Sequence, residues 1–315
     1  MTEDDIAATL GLFNITLGRP RPDLPIAGSP ERCLERAAAE SVDGRIWIVE
    51  RSAPRIAARK QAIAESAAFL AARLAEVKPW LAIAPDRYVV ERGSGVWQVS
   101  AYVPGIPLDR PAYAFEGWRG DALADLLIRF RLAAAGMPPA PGGEAPLSLP
   151  DFIRDLFGKL SSREPALFER LYPALLHLER NLFPALGGVP TRFCHGDFHP
   201  LNVIWSPSGI NALIDFEFCG VRPEIYDPAM LVGCLGMEDP RSLKGDLVGT
   251  LLARLKSGAG YSEAGWACFP DLVLGLRFAW LSDWLRRGDR EMVELEAVFI
   301  GLLLEGRSAL ARAGS

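Results

Sequence analysis

The residues that decide the fold run Cys194-His195-Gly196-Asp197-Phe198-His199-Pro200-Leu201-Asn202, continue as Val203-Ile204-Trp205, and close on Asn211-Ala212-Leu213-Ile214-Asp215-Phe216-Glu217. Two apolar runs flank Pro207-Ser208-Gly209-Ile210, which reads as the turn of a short antiparallel hairpin. A four-residue loop pairs Ser206 with Asn211, and counting outward sets Asn202 opposite Asp215. Directly opposed residues in such a ladder have α-carbons about 4.5–5.5 Å apart, so one oxygen ligand from each can converge on a small cation. Magnesium suits a sparse Asn/Asp pair better than calcium, because it completes its shell with phosphate oxygens and water. Asp197 lies just before the hairpin, where a carboxylate can accept a proton from a substrate hydroxyl. Positioning, charge neutralisation and one proton acceptor are the requirements of phosphoryl transfer.

Around this motif the chain has two characters. Residues 33–40 and 45–51 flank Ser41-Val42-Asp43-Gly44, and 87–91 and 96–103 flank Arg92-Gly93-Ser94-Gly95, so two hairpins are expected in the first hundred residues. Between them residues 56–77 carry the apolar spacing of one helix. Pro104-Gly105-Ile106-Pro107 then interrupts the strand pattern. Helices are expected at 121–135, 151–161, 164–182, 243–256, 264–287 and 290–311, with a Pro/Gly-rich loop at 137–146. The division is into 1–103, with a hinge at about 100–105, and a helical part, 104–315, holding the catalytic loop and acceptor site.

The pattern H-G-D-x-x-x-x-N followed by I-D-F-E resembles the aminoglycoside phosphotransferase family, which includes choline, homoserine and methylthioribose kinases. It is the small-molecule counterpart of the protein-kinase H-R-D-x-x-x-x-N and D-F-G pair. The likeness extends to Gly220 and Tyr226-Asp227-Pro228. It implies an α+β, two-lobed protein-kinase-like fold: an N-terminal antiparallel sheet with one helix, and a larger, mainly helical C-terminal lobe. It implies Asp197 as catalytic base, with His195 and Asp227 supporting the loop, and Asn202 and Asp215 as magnesium ligands. The segment Trp97-Gln98-Val99-Ser100-Ala101-Tyr102-Val103-Pro104-Gly105 matches the family hinge, so Ser100, Ala101 and Tyr102 would offer backbone groups to adenine. The implied activity is transfer of the γ-phosphate of ATP or GTP to a hydroxyl of an amino alcohol, sugar or aminoglycoside-like molecule. The alternative is a non-catalytic kinase-like protein that binds a nucleotide or ligand.

The cation expected to reach the phosphates from the third strand is less regular. In Ile46-Trp47-Ile48-Val49-Glu50-Arg51, strand alternation puts Glu50 and Arg51 on opposite faces. Arg51 in this role would pair with Glu65, whereas Glu50 would pair with Arg59 or Lys60. Arg51 is favoured, because a phosphate site without a basic group is electrostatically poor. Trp280, Asp283 and Trp284 share one helical face, which either packs into the core or walls an ammonium-binding acceptor pocket. His199 reads as a loop-packing residue, Glu217 as either a metal neighbour or a brace, and Asp289, Glu291, Glu294 and Glu296 as a solvated face.

With 34 Lys and Arg against 39 Asp and Glu, the net charge is −5, which argues against nucleic-acid binding. The acidic start has no apolar stretch behind it, and the longest apolar-looking run, 297–304, is too short for a membrane span. Five scattered cysteines without a CxxC pair suit reduced thiols in a cytoplasmic protein. The sequence is silent on oligomeric state.

Overall fold

The computed structural model describes residues 1–26, 33–137, 148–258 and 260–314. They divide into a first unit, within residues 1–108, 132–137 and 201–220, and a second, within 109–131, 148–200 and 221–314. Most of the loop expected at 137–146 lies outside the described residues.

The first unit is built on a five-stranded antiparallel sheet: β1 (Leu17–Pro20), β2 (Glu35–Ser41), β3 (Ile46–Ser52), β4 (Val90–Arg92) and β5 (Gly95–Ala101), in the order β1-β2-β3-β5-β4. Gly44 takes φ +82° in the first expected turn and Gly93 takes φ +59° in the second, conformations that cost glycine little. The register from the first turn pairs Arg36 with Glu50 and Glu35 with Arg51. Alternation then sorts the side chains. Odd-numbered Ala39, Trp47, Val49, Trp97 and Val99 form a core with Ile6 and Leu10 of helix α1 (Glu3–Leu12). Arg36, Glu50 and Gln98 fall on the opposite face.

Helix α1 has a signal in the opening residues. Thr2 Oγ1 accepts the Asp5 N–H and Asp5 Oδ2 accepts the Thr2 N–H, a reciprocal capping box. Helix α2 (Ala57–Ala71) stops short of the expected 77 because the following residues serve the hairpin: the Leu213 N–H donates to the Glu76 carbonyl, and Val77 bridges to Leu213. The first unit thus reaches Leu108 and takes in the motif hairpin, which the division at 103 had assigned to the helical part.

The second unit is helical, with α3 (Gly117–Ala133), α4 (Leu149–Arg163), α5 (Pro165–Ala185), α6 (Tyr226–Glu238), α7 (Asp246–Gly258), α8 (Glu263–Arg287) and α9 (Arg290–Gly314). Helix α6 escaped the sequence reading because it is buried nearly all round, from Asp227 to Gly233 without a break, so no amphipathic period marks it. Helices α8 and α9 turn at Gly288, φ +72°, the left-handed end that glycine favours. The acidic face expected at 289–296 is only partly solvated: Glu296 is fully buried and bonds Arg277 at 2.6 and 2.7 Å. Among the described residues no helix is long and apolar enough to cross a membrane.

Candidate active site

The Asp197 loop belongs to the second unit. Strand β6 (Thr191–Cys194) leads into it, and Gly196 turns it with φ +81°. Asp227, in the first turn of α6, holds the loop from below. Its Oδ2 accepts the His195 N–H and its Oδ1 the Gly196 N–H, each at 2.8 Å. Burial pushes the Asp227 carboxyl up to about 6, against the pull of these two donors and of Arg222, while Asp197 adds to the rise. The Asp197 N–H donates to His195 Nδ1 at 3.3 Å, which places the ring proton of a neutral His195 on Nε2. His195 is fully buried and meets Phe130 and Phe198 edge-on, with centroids 6.5 and 6.0 Å away. It therefore sets the loop's shape. Asp197 itself is buried, and His199 Nε2 stands 3.7 Å from its Oδ1. The His199 ring in turn rests edge-on against Trp280 at 6.0 Å.

The hairpin, β7 (Val203–Ser206) and β8 (Gly209–Leu213), belongs to the first unit. Its register differs from the expected one. Ser206 pairs with Gly209, so the turn has two residues, and a bulge between Ile204 and Trp205 shifts the ladder by one. Asn202 consequently lies beside Ile214, whose N–H donates to the Asn202 carbonyl at 2.9 Å, and not opposite Asp215. The residue bulged out is Asn211, and its amide donates to the Pro104 carbonyl at 2.9 Å. This bond, with the Ile106 N–H donating to Trp205, ties the hairpin to the Pro104-Gly105 segment.

Asp215 follows in the left-handed region, φ 66° and ψ 64°, a conformation that aspartate tolerates better than most residues and that re-aims its side chain. Glu217 braces this segment. Its carboxylate pairs with the buried Lys60 of α2, and its carbonyl accepts from Arg59 at 2.5 Å. Arg59 and Lys60 are thus engaged by Glu217, and Glu50 has another partner.

That partner is Arg36, whose Nε and Nη2 lie 2.7 and 2.5 Å from Glu50 Oε1. Trp80 Nε1 donates to the second oxygen of Glu50 at 3.3 Å. Arg51 lies on the α1 face, with Nη2 2.6 Å from Glu35 and the guanidinium 5.9 Å from the Trp97 ring centroid. Glu65, the partner expected for Arg51, instead accepts from Gln61. Arg36 is the residue that sequence reasoning missed: only a count outward from a three-residue turn, Val42-Asp43-Gly44, places it opposite Glu50.

In the segment expected to form the hinge, the Tyr102 N–H donates to the Ile46 carbonyl at 2.9 Å, and Ser100 pairs with Ile48. The backbone groups of Ser100 and Tyr102 therefore face β3, and those of Ala101 between them face the other edge. On α8, Trp280 and Trp284 stack at 6.3 Å, whereas Asp283 is paired with Arg286 and Arg287 at 2.6 and 2.7 Å. Neither indole is fully in the core.

No curated protein sequence matches the chain. Solved structures do, over nearly its whole length. An amicoumacin kinase, hAmiN, in complex with AMP-PNP, Ca2+ and Ami is 14% identical, with TM-score 0.69, and the match covers 96% of this chain and 93% of that one. The macrolide 2'-phosphotransferase MphH from Brachybacterium faecium is 17% identical, with TM-score 0.61 and coverage of 94% and 97%. A choline/ethanolamine kinase family protein from Mesorhizobium loti is 16% identical, with TM-score 0.64 and coverage of 100% and 99%. At these identities the likeness establishes the protein-kinase-like fold. The profile of the phosphotransferase enzyme family (APH) matches residues 38–268, which include Asp197, Asn202, Asp215 and Asp227. The chain belongs to this phosphotransferase enzyme family, and its activity class is that of a small-molecule phosphotransferase or kinase.

Proposed function

We propose that the protein transfers the γ-phosphate of ATP or GTP to a hydroxyl of a small molecule: an amino alcohol, a sugar or an aminoglycoside-like compound. The observation that carries this reading is the held carboxylate of Asp197. It sits on a loop whose backbone is bonded to Asp227, with its own N–H on His195 and the His199 ring 3.7 Å away. A nucleotide-binding module has no use for a carboxylate so constrained, whereas a general base must be held in place before the substrate arrives. In this reading Asp197 orients the acceptor hydroxyl and takes its proton as the oxygen attacks phosphorus. His195 and Asp227 are positioning residues.

Asn202 and Asp215 fit magnesium by the chemistry of their donors, an amide oxygen and a carboxylate on neighbouring backbone segments, with phosphate and water to complete the shell. A bound magnesium would neutralise phosphate charge there. Of the expected hinge residues, Ala101 is the proposed backbone contact of the base, since its backbone groups point away from β3 while those of Ser100 and Tyr102 are turned to β3.

The test is ADP or GDP release against panels of amino alcohols, sugars and aminoglycosides. Asp197→Ala should lose about a hundredfold to ten-thousandfold in turnover and keep its affinity for AMP-PNP or GMP-PNP. Unchanged nucleotide turnover in that variant would sink the assignment.

A further inference from the structure

Two polar rows cross the sheet of the first unit at adjacent registers, on opposite faces. One is Glu35, Arg51 and Trp97; the other is Arg36, Glu50 and Gln98. The first row is closed off. Arg51 is 2.6 Å from Glu35, the Met1 amino group is on the same Glu35, and the core of α1 lies alongside. A guanidinium so placed cannot swing through the sheet to the other face.

The second row is buried at unusual expense. Glu50 is 7% exposed and Gln98 2%, and the Gln98 amide nitrogen has no hydrogen-bond partner among the described residues. Both oxygens of Glu50 are engaged, one by Arg36 and one by Trp80, so Glu50 is a fixed counterion and not a ligand-binding group. Burial opposes the charge of Arg36, but Glu50, Cys33 and Asp215 outweigh it and raise its pKa, so Arg36 stays cationic. Asp215, the proposed metal ligand, thus shares an electrostatic neighbourhood with Arg36. A half-buried, pre-oriented guanidinium in the field of a proposed metal carboxylate is an arrangement suited to a polyphosphate.

We propose that Arg36 on β2, positioned by Glu50, is the cation of the first unit that holds the nucleotide phosphates, in place of a cation on β3. The role expected of the third strand has moved one strand over, and the third strand supplies the carboxylate that aims it. Arg51 is structural. This inference rests on the kinase reading above.

The test is calorimetric titration of the full chain with AMP-PNP and with GMP-PNP, each with magnesium, for wild type and variants. Arg36→Gln alone strands the buried Glu50 charge, so the informative variant is the double Arg36→Gln/Glu50→Gln, its fold checked by thermal unfolding. It should bind the better analogue about 10- to 100-fold more weakly. Arg36→Lys should recover part of that loss, and Arg51→Gln should bind as wild type does. Wild-type-like affinity in the double variant, or loss of affinity in a folded Arg51→Gln, would overturn the assignment of Arg36. Absence of binding to wild type would overturn the kinase reading itself, which separates the two failures.

Discussion

Replacing Asp227 by asparagine isolates one buried charge that should tie stability to pH. The wild-type carboxyl is 3% exposed, and burial raises its pKa from 3.8 to about 6. The folded chain therefore holds this proton more tightly than the unfolded chain does. Between about pH 4 and pH 6 the folded state binds more protons, and the contribution to stability falls as pH rises. The full shift corresponds to a penalty of roughly 3 kcal/mol above pH 6 that disappears below about pH 4. Asparagine escapes this penalty at every pH. It has one oxygen, however, where the carboxylate uses Oδ2 for His195 and Oδ1 for Gly196. One buried N–H is orphaned, at about 1–3 kcal/mol whatever the pH. The two effects nearly cancel at pH 8. By about pH 4.5 the wild type has shed most of its penalty, so Asp227→Asn should be worse relative to it by roughly 2 kcal/mol. Urea unfolding of both proteins at matched pH measures the difference, in which other titrating groups drop out. A difference that stays flat from pH 8 to about pH 4.5 would refute the claim that Asp227 is a destabilised, buried carboxylate.

Two further outcomes concern the helical unit. Arg277→Met leaves the fully buried Glu296 without its partner and should cost about 3–5 kcal/mol in urea unfolding, most of it recovered in Arg277→Met/Glu296→Leu. Gly120→Ala sets a methyl of α3 against the Leu247 carbonyl at the start of α7, a backbone group that cannot swing aside. A loss of about 1–3 kcal/mol is expected there, whereas Gly158→Ala, with open space around its α-carbon, should be neutral or stabilising by up to about 1 kcal/mol.

Much of the architecture was legible because it follows local rules. The hairpins were found from Asp43-Gly44 and Gly93-Ser94, since a turn needing positive φ advertises itself through glycine. The seven expected helices appear, shifted by up to six residues at their ends, because amphipathic period marks a helix better than its caps do. Helix α6 lacked that period. Glu296 looked solvated because its partner Arg277 stands nineteen residues away on another helix, a pairing that no window of sequence contains.

The residues proposed to carry the chemistry were legible in the sequence alone. Asp197, Asn202 and Asp215 stand at the spacing of the family pattern, and side-chain type and covalent separation suffice to propose a base and two oxygen ligands. What only the tertiary structure decided was register and face. The two-residue turn and the bulge at Asn211 together set Asn202 beside Ile214 and not opposite Asp215, and strand pairing set Arg36 beside Glu50 and Arg51 beside Glu35. The physical reason is the two-residue period of a strand. A slip of one residue reverses every side chain, so the difference between a phosphate-facing cation and a structural one rests on pairings that the linear order of residues does not display.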